Sequence, residues 1–207
     1  MLQGFGIDPT RSNPTTLSNQ VLARYVSFQL EYATPPILNI GCGNNPCGWY
    51  GPDCTHFDID VWNYPNFVQG DAHNLPFPDD SFVTAVMGDM LEHVRDPVRV
   101  LQEAGRVAPC VVMTTFEEWR LGGPGYQPEG GKALYFPEGV ELDHPEGLVS
   151  RTSEEVTPHH GHIWQWDRAY LGEIIERSGL KILVEEEACP GIHEGHAMKN
   201  FCFVLKR

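Results

Sequence analysis

Three groups of residues in this 207-residue chain have the types and spacing to do chemistry. The first lies in "PPILNIGCGNNP", residues 35 to 46, where an apolar segment runs into two glycines one residue apart. Glycine lets a backbone approach a ligand and adopt dihedrals closed to other residues. Gly41 and Gly43 could therefore seat a nucleotide-like group, or simply make a tight turn. A dinucleotide fingerprint needs a third glycine three residues after the second. Pro46 stands there, so a pyrophosphate cradle is poorly supported. The second group is a set of acids, Asp58, Asp60, Asp71 and Asp89, at or just beyond short apolar runs. The third is histidine, the natural base near neutral pH.

His93 sits in "LEHV", and "TPHHGHIWQWD", residues 157 to 167, holds His159, His160 and His162. In an extended segment His160 and His162 point the same way, and Trp164 continues their row as an apolar wall for a substrate. The competing reading puts Trp164 and Trp166 in the core, with the histidines capping or solvated. A zinc site from His159, His160 and His162, with Cys189, His193 or His196, lacks recognised ligand spacing, so no metal is expected.

The elements that must position these residues follow from hydrophobic period. Leu17, Val21, Tyr25 and Phe28 mark a helical face from about 15 to 32, ended by the prolines at 35 and 36. Ile37 to Ile40, Thr55 to Ile59 and Asn66 to Gln69 read as short strands. "FVTAVMG", residues 82 to 88, is a continuous apolar run suited to a central parallel strand. In "RDPVRVLQEAGRV", Asp96 can cap a helix and Pro97 fits its first turn. "CVVMTTF" follows as a buried strand. Residues 117 to 157 are rich in Gly, Pro and Glu with little periodicity, which suggests an insertion or lid within one domain spanning 1–207. Asp167 can cap a second helix carrying Tyr170, Leu171, Ile174 and Ile175, and Gly179 is placed to end it. "LKILVEE" and "NFCFVLKR" then read as antiparallel closing strands, with "GIHEGHAMKN" as the hairpin between them. The succession indicates an α/β domain with a mostly parallel sheet, whose ligands bind beyond the carboxyl ends of the strands.

Composition narrows the partners. Hydrophobic residues at 41% and charged residues at 20% are ordinary for a globular protein able to bury a core. The formal charge of −14 repels polyanions, so neither nucleic acid nor an anionic membrane surface is expected as a main partner. No apolar run is long enough to span a bilayer. The N-terminus lacks the basic start and apolar core of an export signal. The six cysteines show no CxxC and read as free thiols, with the cytoplasm as the default compartment.

The segments "ILNIGCGNNP", "FDID", "GDAHNLPFPDDSF" and "MGDMLEHVRDPVRVLQEAGRV" fall in one order with compact spacing. Together they resemble the class I S-adenosylmethionine-dependent methyltransferases, in the small-molecule, methyltransferase type 11-like branch with a "GCG" loop and "LEHV" after the fourth strand. The resemblance covers residues 36 to 116 strongly and 157 to 207 weakly. It implies a Rossmann-like sheet of seven strands in the order 3-2-1-4-5-7-6, strand 7 antiparallel, with helices on both faces. It also implies S-adenosylmethionine as cofactor. Gly41, Cys42 and Gly43 would lie under its methionine part, with Asn39 in the place of a frequent aspartate. Asp58, with Asp60 in reserve, would accept both ribose hydroxyls. Asp71 and Ala72 would meet the adenine, and Asp89 and Met90 would line the pocket floor. The sequence departs from the family in a very short first crossover, in "VWNYP" where a helix is expected, and in Ala108-Pro109-Cys110 where a glycine pair is usual.

The expectation is a methyltransferase acting on a small-molecule acceptor, with residues 117 to 157 covering it and His93, His160 or His162 as base. A noncatalytic S-adenosylmethionine-binding or interaction protein would bind the cofactor without turnover. A nicotinamide-dependent oxidoreductase would bind NAD, against the missing third glycine.

Overall fold

Short apolar runs too brief for helices pair side by side in the computed structural model, which describes residues 27–43, 50–117, 132–133, 164–165, 168–193 and 196–207. Five form a parallel set: β1 (Ile37–Ile40), β2 (Cys54–Asp58), β3 (Phe67–Gln69), β4 (Thr84–Gly88) and β5 (Cys110–Glu117). After a separate antiparallel pair, β6 (Lys132–Ala133) and β7 (Trp164–Gln165), the chain closes with β8 (Lys181–His193) and β9 (His196–Lys206). The main sheet has seven strands in the order β3-β2-β1-β4-β5-β9-β8, and β9 runs antiparallel to both neighbours. Counted within that sheet alone, this is the order 3-2-1-4-5-7-6 with its last strand reversed.

Strand alternation sorts the core into two faces. Leu38, Ile40, Ala85, Met87, Val111, Met113, Phe203 and Leu205 point to one side, against α2 (Pro97–Val107) and α3 (Arg168–Arg177). Ile37, Val86, Val112, Cys202 and Val204 point to the other, where Phe28 of the helical residues 27–32 (α1) covers them. Helices therefore lie on both faces. Each fully buried Leu, Ile or Phe contributes about 1.5–3 kcal/mol, so the sheet centre carries most of the fold's stability.

Helix α2 starts as its sequence dictates: the Asp96 carboxylate accepts from Arg99 N at 2.9 Å and Pro97 occupies the first turn. Val100, Leu101, Ala104 and Val107 are its buried stripe. Tyr170, Leu171, Ile174 and Ile175 do the same for α3, which runs out at Gly179; the expected cap, Asp167, lies outside the described residues.

Two stretches depart from the expected strand limits by more than one residue. Strand β4 begins at Thr84, because Phe82 N and Val83 N donate to Val107 O and Pro36 O beyond the ladder. Residues 191 to 200 form the expected hairpin between the last two strands, and they do so by extending both strands up to a His193–His196 pair. The register shift between Ala188 and Gly191 absorbs Pro190, which has no N–H for the ladder. Of the helix expected over 15–32, residues 27–32 are described and helical. No helix separates β2 from β3, as "VWNYP" suggests. Beyond the end of β5, Lys132–Ala133 is the described part of the segment expected as a lid.

Candidate functional site

The glycine loop is held by the strand beside it. Gly41 N and Cys42 N both donate to Phe57 O, at 2.8 and 3.2 Å, folding the end of β1 over β2. Gly41 has φ +70°, and a Cβ there would stand 2.3 Å from Met90 Cγ and 2.9 Å from Met90 Cβ. No side chain fits. Gly43, at φ +56°, donates its N–H to Asp58 Oδ2 at 2.8 Å, while Asp60 N donates to Asp58 Oδ1 at 3.0 Å. Asp58 thus clips the glycine loop to the turn after β2, and Tyr64 OH adds a bond to Gly43 O at 3.2 Å.

A cavity of about 540 Å³ opens beyond the carboxyl ends of β1, β2, β3 and β4. Gly41, Gly43, Asp58, Asp60, Asp71, Ala72, Asp89 and Met90 line it, as does His93 from the 3-10 turn Leu91–His93. Two expected residues are not on its wall. Asn39 points into the sheet, 5% exposed, with Nδ2 3.4 Å from Nδ1 of His56 on β2. Strand alternation sends it there once Leu38 and Ile40 take the opposite face. Cys42 is also buried, turned away between the two glycines.

On the far side, Asp71 Oδ1 accepts from His73 N at 3.0 Å and lies 2.5 Å from His73 Nδ1, and Arg95 stands 3.4 Å from Oδ2. Burial pushes the Asp71 carboxyl up, but the His73 backbone and ring and the Arg95 charge outweigh it and hold the group below the usual carboxylate range. The loop that follows is tied to α2. Leu75 N donates to Glu103 Oε2 at 2.9 Å, and Arg106 donates to both Glu103 oxygens and to the carbonyls of Leu75 and Phe77. The Glu103 carboxyl is held low by the Arg106 hydrogen bonds, against the opposing effect of burial.

Asp89 enters the site with φ +47°, after the end of β4. A buried hydrogen-bond chain reaches it: Tyr50 OH donates to Gln29 Oε1 (2.6 Å), Gln29 Nε2 to Thr114 Oγ1 (3.4 Å), and Thr114 Oγ1 to Asp89 Oδ1 (3.2 Å). Each residue that accepts donates the next bond, so the chain polarises in one direction.

Of the candidate bases, His93 is exposed at the cavity, whereas His160 and His162 lie outside the described residues. Trp164 is not an apolar wall for a substrate. It is 1% exposed, part of the core, and donates Nε1–H to Val94 O at 2.6 Å. Among the described residues no cluster of three or more His, Cys, Asp or Glu could hold a metal, and no helix is long and apolar enough to cross a membrane. Phe57, Trp62, His73 and Arg95 also line the cavity and were not singled out by the sequence. His73 had a readable signal in "GDAHN", an Asp-x-His spacing that suits a local side-chain bond. Trp62, stacked on Tyr64, falls in the segment noted only for its missing helix.

The sheet order, the reversed last strand and a cavity at the strand ends define the class I methyltransferase fold. Residues 51–109 match the family model described as a methyltransferase domain. The fold, with this match over part of the chain, supports a class I S-adenosylmethionine-dependent methyltransferase, for which S-adenosylmethionine is the cofactor indicated. Similar solved structures include an S-adenosylmethionine-dependent methyltransferase from Mesorhizobium loti, 17% identical over 90% of this chain and 100% of that one, with TM-score 0.61. Another is the 1,6-didemethyltoxoflavin-N1-methyltransferase of Burkholderia thailandensis with bound 1,6-didemethyltoxoflavin and S-adenosylhomocysteine; it is 10% identical over 91% and 78%, TM-score 0.60. A third is the [4+2]-cyclase SpnF, 14% identical over 95% and 84%, TM-score 0.61. At these identities the likeness is one of fold. No curated protein matches the sequence.

Proposed function

We propose that this chain transfers a methyl group from S-adenosylmethionine to a small-molecule acceptor. One observation supports the reading most: a glycine turn with no room for a side chain opens onto a cavity whose walls carry carboxylates from three successive strand ends. About 540 Å³ lies within the range of about 300–1,000 Å³ usual for small-molecule sites. The residues suit the cofactor. Gly41 and Gly43 offer bare backbone to its methionine part. Asp58, with Asp60 beside it, offers acceptors to the ribose hydroxyls; each Asp58 oxygen takes one backbone N–H and keeps a second lone pair. Asp71, held ionised, suits the exocyclic amine of adenine beside Ala72, while Asp89 and Met90 form the floor.

The cofactor supplies an electrophilic methyl group on a sulfonium. The chain supplies alignment and, for an acceptor that carries a proton, a base. His93 is the base best supported by position, at the cavity and exposed to an incoming acceptor. His160 and His162 are the alternatives. The small-molecule methyltransferase among the fold relatives favours an acceptor of that size.

Thermal shift with S-adenosylmethionine, S-adenosylhomocysteine and NAD, followed by transfer of labelled methyl to a panel of small acceptors, tests the reading. A ligand at a hundredfold excess over Kd raises stability by about 2.7 kcal/mol. A shift with NAD alone overturns the proposal. Because one fold relative is a cyclase, turnover decides more than binding. Cofactor binding with no methyl transfer to any acceptor favours the noncatalytic alternative. With an acceptor in hand, His93→Ala lowers turnover by about 10²–10⁴ and leaves S-adenosylhomocysteine affinity near wild type. Loss in His160→Ala or His162→Ala instead moves the base to that segment.

A further inference from the structure

His73 makes two bonds that together fix its proton. Its Nε2 lies 3.1 Å from the backbone N of Asp96, and an amide N–H can only donate, so Nε2 is the acceptor. The ring proton is therefore on Nδ1, where it donates to Asp71 Oδ1. The same oxygen accepts the His73 backbone N–H, and Arg99 Nε donates to the His73 carbonyl at 3.0 Å. The charged groups around the ring are thus Asp71, whose other oxygen faces Arg95, and Asp96 and Arg99 from the start of α2. Oδ1 is committed twice to His73. Oδ2 is the oxygen left for a ligand, with only a long, half-exposed contact to Arg95. His73 itself lines the cavity.

We infer that His73 is a positioning residue that sets the purine specificity of the site: it locks the Asp71 carboxylate with one oxygen occupied and presents the other as an acceptor that selects a 6-aminopurine over a 6-oxopurine. The inference rests on the methyltransferase reading above, in which Asp71 meets the adenine. An ionised carboxylate can accept from an exocyclic amine but meets the carbonyl oxygen of a 6-oxopurine with two acceptors face to face. Selection needs the carboxylate held in place. An Asp71 free to rotate could turn away and let Arg95 face the oxo group.

The test compares wild type with His73→Ala, His73→Asn and His73→Gln in the full chain, titrating S-adenosylhomocysteine and S-inosylhomocysteine by calorimetry at one pH and salt. The readout is the ratio of the two affinities, which a purely structural contact does not move. Wild type prefers the adenosyl compound. His73→Ala weakens it about tenfold or more and shrinks the ratio. The Asn amide nitrogen stands where Nδ1 was, so His73→Asn restores the ratio; the Gln amide reaches only the place of Nε2, so His73→Gln does not. An unchanged ratio in His73→Ala, equal loss of both ligands in all three variants, or rescue by Gln and not Asn overturns the inference while leaving the proposed function standing. Failure of wild type to bind either compound overturns both.

Discussion

At the glycine loop, position is set by backbone: Gly41 and Cys42 donate to Phe57 O, and Asp58 gathers the N–H groups of Gly43 and Asp60. Across the cavity, the loop from Asp71 to Asp80 is held by charged side chains of α2, with Glu103 and Arg106 reaching Leu75, Phe77 and Asp79. The first wall depends on dihedral freedom and on space. The second depends on ionised groups and on the helix staying in place. One wall should therefore fail by steric insult, and the other by loss of charge.

The largest effect expected is on the charged wall. Arg106→Ala leaves Glu103, its side chain 4% exposed, without its main partner. Stranding a buried carboxylate costs about 3–5 kcal/mol, and with Arg106 itself 30% exposed the lower end, about 3 kcal/mol, is expected by urea denaturation. Acid should find the same weakness. Glu103 and Asp71 have carboxyls held below their usual values, so their contribution is present above the unfolded value of about 4 and is lost as pH falls through the lower folded values. Melting temperature against pH should fall below about pH 4 in wild type, and less steeply in Arg106→Ala. Parallel curves would mean that Glu103 is not part of the acid response.

Next comes the steric wall. Gly41→Ala combines a left-handed φ with a clash at Met90, and should cost about 2–3 kcal/mol together with S-adenosylhomocysteine binding. Asp58→Ala releases two backbone donors at once, so a loss of about 1–2 kcal/mol in stability accompanies weaker binding. This is more than an unengaged strand-end acid would cost. Normal binding in Asp58→Ala with loss in Asp60→Ala would transfer the ribose role to Asp60. The smallest effect is Gly43→Ala, about 1 kcal/mol, because its φ is also left-handed but none of the described residues lies within 4 Å of an added Cβ. Equal costs at Gly41 and Gly43 would show that dihedral strain alone, and not Met90, makes glycine necessary at the end of β1.

Local pattern determined much of this protein. Residues close in sequence produce the 2- and 3.6-residue periods, so the strands around Leu38, Val86 and Val112, the stripe of α2 and its Asp96 cap were all legible, as was the bare turn at Gly41 and Gly43. The acids of the cavity were readable as strand-end residues for the same reason. What only the tertiary structure decided lies in bonds between distant residues. Trp164 could have been a wall for a substrate or core, and its bond to Val94, seventy residues away, makes it core. Asn39 looked like part of the loop until His56 of the neighbouring strand received its side chain. The tautomer of His73 was set by the backbone of Asp96, and Glu103 met Leu75 only once α2 had packed against the sheet. A single chain records which residues repeat at a period. It does not record which backbone group stands opposite a side chain after the sheet has closed, and that is where the cavity's specificity is made.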